Sequence, residues 1–289
     1  MAFRIVASIT LILTFCLILL GGVVHSSGSS LACPDWPLCY GQFFPVMQGG
    51  VAIEHSHRLL AASIGLLTIV LAILATRQAD RRLERLSMVA VALVIIQGVL
   101  GGITVLYRLP TAVSTAHLAI SMVFFSLLLW IVLSGIPSWQ TATGLGSGRG
   151  WILLATILIY LQIILGALVR HTGASAACPD LPFCHGLLWP QGLHPSTQLH
   201  MAHRWLGTLV LLVALSTAYF VLREAGEDRR LRFLAHNMVL LVCLQVALGA
   251  ASVWSQMSLA VVTAHLAGGA LLLATSVSMW FLSRKRAIA

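Results

Sequence analysis

Long runs poor in charge recur along this chain, separated by short polar segments. Each run is close to the roughly 20 residues that a helix needs to cross about 30 Å of hydrocarbon. Eight such runs lie near 5–24, 52–76, 87–106, 113–135, 151–169, 197–222, 233–255 and 258–282. Backbone polar groups within hydrocarbon must be satisfied inside the segment, so all eight are predicted helices. The first run, after Arg4, is long enough for a full span and lacks a convincing small-x-small cleavage site. Cys16 does not fit a lipoprotein site, because Phe15 precedes it.

Composition agrees with the pattern. Hydrophobic residues make up 59% of the 289, charged residues 9%, and mean hydropathy is +0.96, far outside the range of a water-soluble domain. The net charge of +9 raises the question of nucleic acid. Placement answers it: Arg4, Arg77, Arg81, Arg82, Arg85, Arg149, Arg223, Arg229, Arg230, Arg232, Arg284, Lys285 and Arg286 fall in the N-terminal segment, alternate loops and the tail. By the positive-inside rule these segments are expected to be cytoplasmic, with both termini inside and the loops at 25–51 and 170–196 outside. A lipid bilayer is the expected setting, and no nucleic-acid partner is needed.

The chain also matches itself. Cys33-Pro34-Asp35-Trp36-Pro37-Leu38-Cys39 pairs with Cys178-Pro179-Asp180-Leu181-Pro182-Phe183-Cys184, and His57-Arg58 with His203-Arg204. Gln97 with Gly101 pairs with Gln245 and Gly249, and Thr115-Ala116-His117-Leu118-Ala119 with Thr263-Ala264-His265-Leu266-Ala267. The boundary falls in the Gly- and Ser-rich stretch 136–150, which divides the chain into halves 1–140 and 141–289. The expected fold is all-α and polytopic: two tandem four-helix bundles related by a pseudo-two-fold axis along the membrane normal.

Four histidines fall inside the spans, where ionisable side chains are costly and functional by default. His57 and His117 sit one to two turns below the outer ends of their helices, about 6–9 Å deep at ~1.5 Å per residue, and His203 with His265 repeat the arrangement. Facing imidazoles in a helical bundle are natural axial ligands of a heme, so each half offers one site. A lone intramembrane histidine more simply bonds a carbonyl, but duplication at matched depth favours ligation. Zinc or copper is a weaker rival, since no Cys or carboxylate pair joins the histidines in both halves and His-Glu-x-x-His is absent, while covalent c-type heme is excluded by the absence of Cys-x-x-Cys-His. Arg58 and Arg204 follow a ligand in each half and are candidates for heme propionates or for snorkelling anchors. His25, His55, His171, His185, His194 and His236 are expected at edges or in loops, with no ligand role.

One acid breaks the symmetry. Glu54 lies in a span, three residues before His57, where the second half has His200. A carboxylate beside a heme can move protons or steady a developing cation. The plainer reading is an ion pair with Arg58. Both Cys-x5-Cys pairs are expected on the oxidising side, as disulfides Cys33–Cys39 and Cys178–Cys184, either as staples or as redox groups. Cys16 and Cys243 read as small buried hydrophobes.

The pattern Glu54-x-x-His57-Arg58, His117, His203-Arg204 and His265, with both outer cysteine pairs, resembles the bacterial, cysteine-pair-containing heme A synthase family over nearly the whole chain. The resemblance implies oxidation of a methyl group of heme O to a formyl group by successive hydroxylations, with water-derived oxygen, for cytochrome oxidase biogenesis. It further implies that His57 and His117 hold substrate heme O, that Glu54 is catalytic, and that His203 and His265 ligate a resident heme b. A heme O synthase and a redox partner are implied partners, and self-association into a homo-oligomer stays open. Two other classes compete: a quinol-linked di-heme b-type electron-transfer protein, and a membrane thiol oxidoreductase using the outer cysteines.

Overall fold

The computed structural model describes residues 1–139 and 144–283. Arg284, Lys285 and Arg286, and part of the linker at 136–150, lie outside the described residues. The eight expected spans are present as α1 (Ala2–Ser26), α2 (Gly49–Thr76), α3 (Arg81–Leu106), α4 (Thr111–Ser134), α5 (Gly148–His171), α6 (Pro195–Glu224), α7 (Arg229–Trp254) and α8 (Leu259–Leu282). All are long and apolar enough to cross a membrane. The chain is a multi-pass, all-helical membrane protein.

Several helices begin earlier than the charge-poor runs imply. α3 starts at Arg81 and α7 at Arg229, within the basic segments, because Asp80 and Asp228 cap them. Each carboxylate accepts from the two backbone N–H groups that follow, Arg82 and Leu83 or Arg230 and Leu231, which otherwise lack intrahelical partners. Such a cap contributes about 1 kcal/mol. The residues leaving α3 and α7 also match, with Arg108, Leu109, Gln256 and Met257 all at positive φ in tight turns.

The chain divides into two compact units, Met1–Gly135 and Ile136–Ala289. In the first, α1 packs on α2, α2 on α3, α3 on α4 and α4 back on α1, which closes a four-helix bundle. In the second, α5 to α8 close in the same cyclic order. The core of the first bundle is concentrated at one end: Phe3 and Ala7 meet Ile64, Leu71 and Ala75 of α2, Leu83 and Ala90 of α3, and Phe124, Leu128 and Ile131 of α4. That is the end bearing the basic α2–α3 turn. The opposite end, beneath the cysteine loop, carries the histidines.

Cys16 and Cys243 are exposed on their bundles, not buried as the sequence reading had it. The reason is the solvent: a small apolar side chain is at ease facing lipid, so its chemistry does not select the interior.

Candidate functional site

The histidines of each unit share one construction. His57 of α2 packs its Cε1 against Gly21 of α1, where a Cβ would come within 3.2 Å, and His117 of α4 lies against Gly101 of α3 at 3.6 Å. In the second unit, His203 of α6 meets Gly166 of α5 at 2.9 Å, and His265 of α8 meets Gly249 of α7 at 3.5 Å. Each ring edge therefore rests on bare backbone of the preceding helix, a close approach that glycine permits. His57 and His117 are near enough to interact electrostatically, as are His203 and His265.

Glutamines fix the backbone around these rings. Gln97 Nε2 donates to the His117 carbonyl at 2.9 Å, and Ser121 donates to both that carbonyl and Gln97 Oε1. Gln162 Nε2 donates to the His203 carbonyl at 2.9 Å and lies 3.4 Å from His203 Nε2.

Whether these residues fit a heme is tested by the nitrogens. The Nδ1 atoms of His57, His117, His203 and His265 are all buried without a hydrogen-bond partner. The four residues nonetheless keep intermediate exposure, so the accessible surface of each lies away from Nδ1. Two buried histidines per unit with an unpartnered ring nitrogen are a donor set that fits one heme in each unit.

The cysteine loops lie at the same end. Both disulfides are formed, Cys33–Cys39 and Cys178–Cys184. After the second cysteine each chain reverses in a two-residue turn, Tyr40-Gly41 or His185-Gly186, with both residues at positive φ. Asp35 accepts from the amides of Tyr40 and Gly41 at 2.7 and 2.8 Å, and Asp180 from those of His185 and Gly186 at the same distances. The amides of Gly41 and Gly186 above all hold these carboxyls below the usual carboxylate range.

Arg58 and Arg204, candidates for heme propionates or for snorkelling anchors, have terminal nitrogens that bind the loops. Arg58 donates to the carbonyls of Cys33, Asp35 and Leu38 at 3.1, 2.6 and 2.5 Å. Arg204 donates to the matching carbonyls of Cys178, Asp180 and Phe183 at 2.7, 2.8 and 2.5 Å. The His-Arg dipeptide thus serves two purposes: the histidine turns into the bundle and the arginine ties down the loop above it.

Glu54 is buried, and both oxygens are engaged. Oε1 takes Arg58 at 2.6 Å and Oε2 the Cys33 amide at 2.8 Å, so the ion pair weighed from sequence is present. At the matching position His200 is also buried. The sequence reading missed His55. It is a buried side chain of α2 near the first disulfide, where the second unit has Met201. A polar residue facing a methionine in the repeat alignment was the available signal.

The chain matches the profile of the COX15-CtaA family, described as cytochrome oxidase assembly protein, over residues 4–52 and 46–277. Among similar proteins, the heme A synthase of Alkalihalophilus pseudofirmus is 32% identical over 270 residues, covering 91% of both chains. That of Geobacillus kaustophilus is 31% identical, covering 90% of this chain and 84% of the relative. That of Shewanella oneidensis is 30% identical over 96% of both. With a family match and relatives spanning nearly its whole length, the chain belongs to the COX15-CtaA family of cytochrome oxidase assembly proteins.

Proposed function

We propose that this protein is a heme A synthase, an oxidoreductase that converts a methyl group of heme O to a formyl group with oxygen drawn from water. The observation that carries the reading is the pair of glycine-backed histidine sites, one in each unit, of which the first alone, among the described residues, has a buried carboxylate, Glu54, one helical turn from its histidine on α2. The names of the relatives agree with it.

On this reading His57 and His117 hold the substrate heme O in the half 1–140, and His203 with His265 hold a heme b in the half 141–289. A bound heme b supplies a one-electron acceptor for the electrons that oxidation of the substituent releases. Glu54 receives a proton lost from the reacting group or from water. Its Oε1 is bonded to Arg58 of the same helix and its Oε2 to the Cys33 amide, so proton uptake weakens both the ion pair and the hydrogen bond from the loop to α2. Arg58 and Arg204 orient the loops that cover the sites, and any propionate contact they make is secondary to that role.

The protein would sit in a bacterial cytoplasmic membrane with both termini inside and the cysteine loops outside. A heme O synthase supplying substrate and a redox partner removing electrons are the partners this chemistry requires.

The test is expression in a host that makes heme O but no heme A, followed by extraction and chromatography of the hemes. Heme A or its hydroxylated precursor is expected with the wild type and absent with Glu54→Ala. Unchanged heme b and heme O in both samples would instead identify an electron-transfer cytochrome.

A further inference from the structure

We propose that Gln162 is a positioning residue on His203 that raises the electron affinity of the heme held in the second unit. The inference rests on the reading that His203 and His265 ligate a heme. Gln162 of α5 lies one turn before Gly166, the glycine that backs the His203 ring. Its Nε2 is 2.9 Å from the His203 carbonyl oxygen and 3.4 Å from the ring Nε2 of the same residue. A carbonyl only accepts, so the NH2 end of the amide is the end that faces His203. One of its hydrogens serves the carbonyl, and the other faces the ring.

Stability alone does not account for this amide. Its Oε1 is buried and has no partner among the described residues, and a buried acceptor left unsatisfied is destabilising. Space for it is made on α6, where a Cβ at Gly207 would come within 3.0 Å of Gln162 Nε2. The first unit has neither half of the arrangement. Aligned on Gly21 and Gly166, Gln162 matches Leu17, which packs on the apolar core, and aligned on His57 and His203, Gly207 matches Ala61. The glutamine that the two repeats share is a different one, Gln97 and Gln245. Gln162 is therefore an additional amide, set against a ligand of the unit assigned to electron acceptance.

The hydrogens are the positive end of the amide dipole. Held against an axial ligand in an apolar bundle, they disfavour the extra positive charge of ferric iron relative to ferrous. The sign is the same whichever ring nitrogen takes the iron, because the carbonyl bond keeps the amide beside His203 in either case. Reduction adds one electron at the iron and places no proton on Gln162. In the proposed reaction, converting a methyl group to a hydroxymethyl group with one water releases two electrons and two protons. A resident heme of raised electron affinity takes those electrons one at a time.

The test is a potentiometric titration of the full-length protein in lipid nanodiscs, produced in a host that makes heme b but no heme O. His57→Ala in every sample breaks the first-unit pair, so a bis-histidine spectrum reports the second unit. Gln162→Leu should lower the ratio of ferrous to ferric heme at a fixed potential about tenfold, the scale of one buried hydrogen bond and about 59 mV for one electron. Gln162→Met keeps the length without the amide and should fall as far. A midpoint unmoved in both variants, or a fall in Gln162→Leu alone, overturns the inference and leaves the heme reading intact. Loss of heme from both variants also overturns it, since Gln162 would then retain the heme and not tune it. Where one variant keeps its heme, that one decides. A parent protein without bis-histidine heme overturns the heme reading and this inference together.

Discussion

The two units are built to one plan around their histidines and diverge at the loops that cover them. Each rests two imidazoles on glycines, leaves their Nδ1 atoms unpartnered and anchors a disulfide loop through an arginine. They part at Glu54 against His200, His55 against Met201 and Trp36 against Leu181. The last change has a steric counterpart. Trp36 lies on Gly102, where a Cβ would come within 2.9 Å of its ring, and the matching residue in the second unit is Ala250. The repeat thus keeps the cradle and differs in the cover, which is where the proposed function needs a substrate site and a cofactor site to differ.

The sharpest way to break this comparison is to remove the acid. Glu54→Ala should lower heme A formation by about 100-fold or more, the usual scale of a lost acid or base, whereas His200→Ala should retain most of it. Extracted heme A per milligram of protein measures both. Equal losses would mean that the two positions are merely structural.

Next in size is the arginine. Arg58→Ala leaves Glu54 buried without its cation, at a cost of about 3–5 kcal/mol. Arg204→Ala loses carbonyl bonds with no buried anion behind, at about 1–3 kcal/mol. Thermal unfolding in detergent should therefore show the first variant with the lower Tm. The reverse order would remove the ion pair as the source of asymmetry.

Glycine contacts should show a smaller, graded effect. Gly166→Ala drives a methyl against His203 and should cost about 1–3 kcal/mol in packing, with loss of heme from the second unit. Gly101→Ala and Gly249→Ala place the methyl at ordinary contact distance and should keep their hemes. The Soret absorbance of purified variants reports this.

The smallest effect should be common to both loops. Asp35 and Asp180 are held below the usual carboxylate range by their turn amides, so their stabilising contribution is full above about pH 4. It fades as pH falls through the lowered values in the folded protein. Protease cleavage at the two loops should rise in parallel on acidification, and Asp35→Asn and Asp180→Asn should remove that pH dependence from their own loops. A response from one loop alone would show that even this shared device has diverged.

Much of this architecture was readable from the chain. Eight apolar runs, a register linking His57 with His203 and His117 with His265, and two spaced cysteine pairs determined the spans, the duplication and the histidine sites, because hydrocarbon tolerates few polar groups and each one stands out. The partners of those groups were not readable. Arg58 and Arg204 reach carbonyls more than 20 residues back in the chain, and backbone oxygens carry no mark in a sequence. The environment of Glu54 depends on the Cys33 amide, and that of His55 on Phe43 and two sulfurs brought in by the loop. Even Cys16 and Cys243 were placed wrongly, since lipid and protein interior look alike to a small apolar side chain. The sequence by itself determined which residues enter the membrane, because solvation energy is local. Only the tertiary structure decided what each of them faces, because hydrogen bonds and ion pairs form between segments that folding alone brings together.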